Sequence, residues 1–441
     1  MNQAVTLDSA SSVDWALTGP DTLAGRYLRR FWHPIYHGCD LAPGQAVPLR
    51  IMSQDYTLYR GEGGTLHLSQ ARCPHRGTQL STGWVQGDAI RCYYHGWKFA
   101  EDGRCVEQPA EESSFCDTVR IATWPVQEYL GLVFAYLGDG PAPPLPRYPT
   151  FERFDGIVEL DSYLRHCNYF QNLENALDMS HVGFVHGDNR NAFDGIGLGR
   201  RLHAEESGWG VTYRFERPDG QQRIQQFGMP NVFYMTALPN EEDVDWQESL
   251  FWWVPIDDDA HVQFSLHRVP LTGEAAARFK ARREARRHEI EQAHQDVCDA
   301  ILAGVESRRD VDPRRVDLVR LQDDIAQVGQ GVRADRRYER FGRGDIGVAV
   351  TRRLWLRELK AMRDGGALKD WQWAPDIVPR AWAVSPGAVG SSTLGVAGGG
   401  EPEFIDIRPP VEIALQRRAL HGQSRLPAAL AVALQKRQAA R

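Results

Sequence analysis

Two short cysteine–histidine pairs constrain this chain more than any other feature. Residues 73–97 read CPHRGTQLSTGWVQGDAIRCYYHGW, which puts Cys73 and His75 in one pair and Cys92 and His95 in the other. The two pairs are 16 residues apart, so each can occupy its own loop while both converge on one point. Thiolates and imidazoles together are ligands of zinc and of iron–sulfur clusters. The sequence therefore predicts an inorganic centre held by two loops.

Three interpretations of these four residues compete. Unrelated positions would require a coincidence of spacing. A structural zinc site usually takes its two cysteines from one short segment and its two histidines from another, whereas here each loop supplies one of each. A Rieske [2Fe–2S] centre holds one iron with two cysteines and the other with two histidines. One cysteine and one histidine from each loop is that arrangement, so we expect a cluster bound by Cys73, His75, Cys92 and His95.

Composition narrows the class of protein. The 441 residues are 42% hydrophobic and 25% charged, which is enough apolar material to bury a large core. The chain has no apolar run of about 18 residues and no basic start followed by an apolar stretch, so we expect a cytoplasmic protein without a membrane partner. A net charge of −7 argues against nucleic acid as a partner.

The patterns along the chain predict an α+β protein. Short apolar runs alternating with Gly-rich turns indicate an all-β domain over residues 46–138, preceded by an N-terminal helical arm over 1–45. A Pro-rich segment at 139–150 is typical of a connector, because proline stiffens the chain and removes backbone donors. The remainder, 151–441, mixes strand-like and helical segments and predicts an antiparallel sheet with flanking helices.

A second group of ligand-type residues lies at 166–187, HCNYFQNLENALDMSHVGFVHG. Helical spacing puts Asn175, Asp178 and, at the end of the run, His181 near one face. His186 follows five residues later, so a loop or a break must bring the two imidazoles together. Two imidazoles and one carboxylate form the facial triad of non-haem Fe(II) oxygenases. A single helical histidine is more often a core or solvated residue. The second motif therefore indicates an iron site only because the cysteine–histidine loops occur in the same chain.

Both motifs resemble those of one family. CPHRG followed by CYYHGWKF resembles the cluster-binding loops of the Rieske non-haem iron oxygenases, and E-N-x-x-D-x-x-H-x-x-x-x-H resembles their iron-binding signature. The resemblance implies that His181 and His186 bind a mononuclear Fe(II) and that Asn175 lies close to the iron. It also implies that Asp178 is the carboxylate linking the two metal centres, and that backbone amides of residues 76–78 and 94–97 hydrogen-bond the cluster sulfurs.

The third iron ligand must come from a distant segment. LQDDIAQVGQGVRADRRYERFG, residues 321–342, resembles the corresponding helix of the phthalate-dioxygenase-like members of the family. The resemblance places the ligand on Asp323. Asp324 is the competing choice, although a solvated charge or an acid at a helix N-terminus is the interpretation that fits Asp324 better.

The resemblance also implies a function. The chain would be the oxygenase component of a multicomponent system that uses O2 to oxidise an aromatic compound. Similarity to components that demethylate lignin-derived aromatic ethers favours O-demethylation of a methoxylated aromatic acid. Ring hydroxylation or cis-dihydroxylation of an aromatic carboxylate is the alternative, and a Rieske electron-transfer protein without oxygenase activity is an alternative of another class.

Partners follow from the same resemblance. We find no G-x-G-x-x-G after a strand, so electrons must come from a separate NAD(P)H-dependent reductase or a ferredoxin. The basic segment 277–287 is a candidate docking face, although a solvated helix with i,i+4 charge pairs is the interpretation that fits its charges better. A head-to-tail homotrimer is expected, with each cluster facing the iron of the next subunit. The aromatic candidates for the substrate pocket are Tyr169, Phe170, Phe184, Phe227, Phe233, Tyr234 and Trp252.

Overall fold

The computed structural model describes residues 14–187, 201–216, 222–237, 247–372 and 398–422. Within them a β-rich N-terminal part precedes a second part made of a large sheet and helices. The predicted fold class, α+β with an all-β N-terminal part, is confirmed. The positions of the domain boundaries stay a prediction.

The N-terminal part contains three small antiparallel sheets. Its strands are β1 (Trp32–His37), β2 (Ala46–Ile51), β3 (Gln54–Arg60), β4 (Leu66–Gln70), β5 (Trp84–Gln86), β6 (Ala89–Arg91), β7 (Lys98–Phe99), β8 (Cys105–Glu107), β9 (Thr123–Trp124), β10 (Val126–Tyr129) and β11 (Leu132–Tyr136). The sheet orders are β1-β11-β10, β2-β3-β4-β9 and β5-β6-β7-β8. The first cysteine–histidine pair precedes β5, and the second lies in the loop between β6 and β7, so the two pairs flank the β5–β6 hairpin.

The first described residues are not all helical. Helix α1 (Leu23–Leu28) starts after Thr22, whose side chain accepts the backbone N–H of Gly25 as an N-cap. Strand β1 follows and pairs antiparallel with β11. All six residues of β1 are buried, so the strand shows none of the alternation that would identify it from sequence. The prediction of a helical arm over 1–45 therefore accounts for α1 but not for β1.

The second part is organised around one eight-stranded sheet. Its strands are β12 (Ile157–Arg165), β13 (Arg201–Glu206), β14 (Gly210–Glu216), β15 (Gln222–Gly228), β16 (Val232–Ala237), β17 (Gln247–Pro255), β18 (His261–Val269) and β19 (Glu403–Asp406). The order is β13-β14-β15-β16-β17-β18-β12-β19, and every pairing is antiparallel except that of β12 with β19. All nine residues of β12 are buried, because both faces of the sheet are covered there.

Helices cover this sheet and bring the ligand-type residues together. After α1 they are α2 (Pro149–Glu152), α3 (Tyr169–Ala176), α4 (Val182–Val185), α5 (Gly273–Arg287), α6 (His294–Leu302), α7 (Leu318–Val328), α8 (Ile346–Arg363) and α9 (Pro410–Leu420). Helix α7 packs against α6 and also contacts α3 and α4. The segment that carries Asp323 therefore lies beside the segment that carries the two histidines.

One hydrophobic core joins the small β1-β11-β10 sheet to the large sheet. The rings of Phe134 in β11 and Tyr148 pack edge-on against Trp252 in β17, each with 5.8 Å between centroids. Complete burial of such a ring contributes roughly 1.5–3 kcal/mol. The Pro-rich segment shares this packing, since the Trp32 indole N–H donates to the Pro143 carbonyl at 2.7 Å. None of the helices in the described part of the chain combines the length and the apolar composition that a membrane span requires.

The basic helix α5 is bound largely by its own chain. Lys280 contacts the Glu403 carboxylate at 2.7 Å, and Arg287 donates to the Asp406 carbonyl at 3.0 Å. Arg283 forms an ion pair with the buried Glu159. Because these three side chains have partners within the chain, they favour a structural role over docking.

Candidate metal-binding sites and active-site cavity

The two cluster loops fold alike. In each loop the cysteine amide donates to a carbonyl five residues later, Cys73 to Thr78 at 2.8 Å and Cys92 to Trp97 at 2.8 Å. These bonds close two tight turns that follow one another across the β5–β6 hairpin. Both cysteine side chains are buried, with 2% of their surface exposed. The two turns thus hold both thiols away from solvent.

A glycine completes each turn. Gly77 and Gly96 have φ of +74° and +71°, the left-handed region in which a side chain is strained. Each donates its amide to the carbonyl of the cysteine in its own loop, at 2.9 and 3.1 Å. The resemblance implies that backbone amides of residues 76–78 and 94–97 hydrogen-bond the cluster sulfurs. Gly77 and Gly96 donate their amides to the turns, and the contacts of the other amides with a bound cluster stay a prediction.

The donor set of the loops fits a [2Fe–2S] cluster. The rings of His75 and His95 lie 4.4 Å apart between centroids, and the His75 ring stacks flat on Trp97 with 5° between planes. His75 Nδ1 is buried and finds no hydrogen-bond partner. Leaving such an atom unpaired costs about 1–3 kcal/mol unless a ligand satisfies it. The thiols of Cys73 and Cys92 contact one another, as the two imidazoles do, so the residues pair as one cysteine pair and one histidine pair.

The second ligand group comes together as expected. Asp323 Oδ1 lies 3.4 Å from His186 Nε2 and 3.8 Å from His181 Nε2. One ligand atom from each of the three residues falls within 4.8 Å of the others, a spacing that one metal ion can span. His181 immediately precedes α4 and His186 immediately follows it. This single short helix therefore places both imidazoles close to one point.

Hydrogen bonds fix the orientation of both imidazoles. His186 Nδ1 donates to the Gln322 side-chain oxygen at 2.9 Å, and His181 Nδ1 donates to the backbone carbonyl of Asp178. With the protons held on Nδ1, the Nε2 lone pairs of both rings are available toward Asp323. This tautomer is the one in which both rings can ligate a metal through Nε2.

Asn175 and Asp178 lie beside this group. The Asn175 side-chain N–H donates to Asp323 Oδ1 at 3.2 Å, and the same nitrogen lies 3.4 Å from His181 Nε2. The Asp178 carboxylate accepts the Ser180 amide at 2.8 Å. The contact to the His181 ring is made by the Asp178 backbone carbonyl and not by its carboxylate. The role of this carboxylate in linking the two metal centres stays a prediction.

The charge state of Asp323 suits a metal ligand. Burial alone would raise the pKa of this carboxyl, but the hydrogen bond and charge of His186, with the charges of Arg165 and His181, lower the pKa to about 2. Asp323 is therefore an anion at neutral pH. The neighbouring carboxylate raises the pKa of His186 against the opposing effect of burial.

Asp324 has a different role from the one its neighbour suggests. Its carboxylate is 1% exposed and pairs with Arg165 at 2.5 Å and with His294 Nδ1 at 2.7 Å. The interpretation of Asp324 as a solvated or helix-end acid is wrong, because both pairing cations are themselves buried. Helix α7 thus uses two consecutive carboxylates in two directions, one toward the histidines and one into the interior.

A cavity of about 350 Å³ opens beside the triad. Its sheet wall is made of odd-numbered residues, as the two-residue period of a strand requires. They are Glu159, Asp161, Tyr163, Gln225, Phe233, Met235, Gln247, Phe251, Trp253, Gln263, Ser265 and His267. The opposite wall consists of Val319, Arg320 and Asp323 in α7 and of Val316 and Asp317, which immediately precede the helix. The cavity can accommodate a flat ring with several polar groups.

Most of the aromatic residues predicted to line the pocket lie elsewhere. Phe233 lines the cavity, whereas Tyr234 and Trp252 point to the opposite face of the sheet and belong to the core. Tyr169, Phe170 and Phe227 are also core residues, and Phe184 is 77% exposed. A one-residue difference in register moves a side chain to the other face. The prediction of pocket residues therefore chose Trp252, whereas the residues on either side of it, Phe251 and Trp253, line the cavity.

Three contributors to the site were not identified from sequence. Gln322 immediately precedes Asp323 in the chain and orients the His186 ring. Arg320 lies three residues before Asp323, the helical spacing that could have revealed it. The Tyr163 ring contacts the guanidinium groups of both Arg165 and Arg320, whose central carbons are 5.0 and 4.9 Å from the ring centroid.

Comparisons with known proteins agree with this architecture. The Rieske [2Fe–2S] domain family matches residues 31–129. The oxygenase subunit of 5,5'-dehydrodivanillate O-demethylase from Sphingobium sp. (strain NBRC 103272 / SYK-6) is 30% identical over 363 residues, covering 79% of this chain and 80% of that protein. The oxygenase subunit of 3-chlorobenzoate-3,4-dioxygenase from Comamonas testosteroni is 30% identical over 264 residues, covering 57% and 61%.

A similar fold occurs among solved structures. An oxygenase–ferredoxin complex of carbazole 1,9a-dioxygenase, with carbazole bound, superposes with a TM-score of 0.54 at 18% identity. The match covers 81% of this chain and 93% of that one. At this identity the likeness concerns the fold alone.

Proposed function

Because the chain belongs to the Rieske non-haem iron aromatic oxygenases, as an oxygenase subunit carrying a [2Fe–2S] cluster and a mononuclear iron, we propose that it O-demethylates a methoxylated aromatic acid. Membership of this enzyme family sets aside the interpretation as a simple electron carrier. The observation that carries the proposal is the triad of His181, His186 and Asp323 at the wall of a 350 Å³ cavity with aromatic and polar faces.

In this proposal Cys73 and Cys92 hold one iron of the cluster, and His75 and His95 hold the other. The buried, unpartnered Nδ1 of His75 and the two buried thiols support that assignment. The bound cluster supplies single electrons to the mononuclear iron. The chain's own contribution is to exclude water from the thiols and to hold both imidazoles in place.

His181, His186 and Asp323 are the proposed ligands of the mononuclear iron. The bound iron supplies the site at which O2 is activated, with positions left open by three protein ligands. Gln322 keeps a proton on His186 Nδ1, and the Asp178 carbonyl does the same for His181, which leaves both Nε2 atoms for the metal. Asn175 restricts Asp323 through the hydrogen bond to Oδ1.

The proposed reaction oxidises a methoxy carbon. One oxygen atom of O2 enters the methyl C–H bond, and two electrons and two protons reduce the other to water. The resulting hemiacetal collapses to a phenol and formaldehyde. The similarity to the O-demethylase subunit, which extends over most of both chains, supports this choice. Dihydroxylation of an aromatic carboxylate is the second candidate, favoured by the similarity to the chlorobenzoate dioxygenase subunit.

Electron delivery and assembly are part of the proposal. We infer that a separate reductase or ferredoxin donates the electrons, as in the related oxygenase–ferredoxin complex. We also infer a head-to-tail homotrimer in which His95 of one subunit approaches Asp178 of the next. The carboxylate of Asp178 keeps one oxygen outside the Ser180 contact, which leaves an acceptor for such a bond.

The test is product analysis with the reconstituted holoenzyme. NADH, a reductase and O2 are supplied with a panel of methoxylated and unsubstituted benzoates. We expect stoichiometric formaldehyde and the matching phenol from the methoxylated acids, and none from an Asp323→Ala control. Formation of cis-diols without formaldehyde would instead support the second candidate.

A further inference from the structure

Arg320 lies on the same face of α7 as Asp323, and both side chains line the cavity. Three residues separate them, which is about 4.5 Å along a helix axis. The guanidinium donates from Nη2 to the buried Asp161 and stacks over the Tyr163 ring with 4.9 Å to the centroid. A cation is thus held in a fixed orientation one helical turn from the iron triad.

The guanidinium retains hydrogen-bonding capacity. A planar guanidinium has more N–H donors than one carboxylate oxygen can accept. Within the described residues, Asp161 is the acceptor that Arg320 contacts, and the side chain keeps 24% of its surface exposed. Each nitrogen of the Arg320 guanidinium is therefore either hydrogen-bonded or accessible to solvent. Since Arg320 lines the cavity, its remaining donors are accessible to a bound molecule.

The other cavity arginine differs. Arg283 donates through Nε and Nη2 to both oxygens of Glu159, which also accepts the Gln247 side-chain amide at 3.3 Å. A bidentate pair of this kind uses one edge of the guanidinium fully. Arg320 is therefore the better candidate for recognising a ligand.

The charges around the cavity permit an anion to enter. The carboxylates of the wall have cationic partners, which are Glu159–Arg283, Asp161–Arg320 and Asp317–Arg315, and Asp323 faces the metal position. Burial lowers the pKa of His267 to about 3, helped by the charges of Arg283 and Arg320, so this imidazole is neutral. An entering carboxylate would not meet an uncompensated negative charge.

We propose that Arg320 anchors a carboxylate of the aromatic substrate. This inference rests on the proposed function and adds the group by which the substrate is recognised. The carboxylate binds the donors that Asp161 leaves available, in a charge-assisted contact. The ring then lies between α7 and the wall containing Phe233, Phe251 and Trp253, with its far end toward Asp323.

Binding to the anaerobic holoenzyme tests the anchor without turnover. Isothermal calorimetry compares 3-methoxybenzoate with the neutral 3-methoxybenzamide of similar shape. We expect Arg320→Gln to weaken binding of the acid roughly ten- to a hundredfold, the range of a charged hydrogen bond, and to change binding of the amide less than about threefold. Arg314→Gln is the matched control, since Arg314 is 88% exposed and pairs with Asp312 beside it.

A second substitution separates anchoring from a structural role. Asp161→Asn removes the competitor for the guanidinium, so the acid should bind several-fold more tightly while the amide is unchanged. This variant also keeps the test decisive if Arg320→Gln fails to fold. If the Arg320–Asp161 pair had a purely structural role, both substitutions would weaken binding of the acid and of the amide to the same extent. That result would overturn the anchor. Equal affinity of the unaltered enzyme for the acid and the amide would overturn it too, and so would a failure to bind either probe.

Turnover with the same probes distinguishes this inference from the proposed function. If the unaltered enzyme releases no formaldehyde but binds the acid through Arg320, O-demethylation is wrong and the anchor stands. If it releases formaldehyde from both probes and Arg320→Gln leaves their relative affinities unchanged, O-demethylation stands and the anchor is wrong.

Discussion

Asp323 and Asp324 are adjacent in α7, yet their carboxylates serve separate structures. Asp323 faces His186 Nε2 at 3.4 Å, whereas Asp324 is bound by His294 at 2.7 Å and by the fully buried Arg165. Consecutive residues of a helix are about 100° apart around its axis, so one can face a cavity while the next faces the interior. The pair therefore offers two substitutions of one residue type with different expected consequences.

Removing Asp323 should affect metal content and leave the fold intact. In Asp323→Ala only two imidazoles remain for the mononuclear iron, so we expect about one iron per chain to be lost, with the visible spectrum of the cluster and the unfolding midpoint preserved. Iron analysis and absorption spectra provide the measurement. Retention of the full iron content would remove Asp323 from the ligand set.

Removing Asp324 should affect stability. Asp324→Ala leaves the buried Arg165 without its anion and leaves His294 with Glu412 alone. Breaking a buried pair in this way typically costs about 3–5 kcal/mol of the free energy of unfolding. Urea denaturation followed by circular dichroism measures the loss, with Asp323→Ala as the matched control. An unchanged urea midpoint would contradict the assigned buried pairing.

Gln322 should control iron affinity through His186. In Gln322→Leu the imidazole loses the acceptor that holds its proton on Nδ1, and loss of such an orienting contact typically weakens metal binding about 10- to 100-fold. Titration of the apoprotein with Fe(II) under argon measures the change. Gln330→Leu, at an exposed position just beyond α7, should bind Fe(II) as the unaltered chain does, and equal affinities in both variants would refute the orienting role.

His294 should make stability fall on the alkaline side. Burial opposes its charge, but Asp324 and Glu412 raise its pKa to about 9, against about 6.5 in an unfolded chain. A raised folded-state pKa contributes stability that is fully present below pH 6.5 and is lost as the pH rises through about 9. Urea midpoints between pH 6 and 9.5 should therefore decline, and His294→Asn should flatten that decline. An equally steep decline in the variant would assign the effect to other groups.

The sequence predicts this protein best where function depends on spacing along the chain. The ligands within each cysteine–histidine pair, and the two histidines of the H-x-x-x-x-H motif, are close in the chain. A tight turn or a single helical turn is therefore enough to bring them together. Asp323 was predicted through a family pattern, and its distance from His186 in the chain gives no local signal. The role of Asp324 could not be predicted, because it depends on Arg165 and His294 arriving from other elements.

Strand faces limited the prediction of the cavity. In β16 and β17 both faces are covered, so Phe233 and Tyr234 are equally apolar in sequence although they face opposite sides. A strand buried on both faces loses the alternation that would distinguish cavity from core. Polar residues at odd positions, such as Gln225, Gln263 and His267, were the available signal for the cavity face.

Subunit mixing should reveal whether electrons cross between chains. Cys92→Ala chains would lack the cluster and His181→Ala chains would lack the mononuclear iron, so neither should turn over alone. In mixed trimers some interfaces pair an intact cluster with an intact iron site of the neighbouring chain, and we expect partial recovery of formaldehyde release there. Mixing His181→Ala with Asp178→Asn should give little recovery, since both changes damage the iron side of the interface. No activity in the first mixture, with mixed trimers verified by native mass spectrometry, would exclude the head-to-tail path.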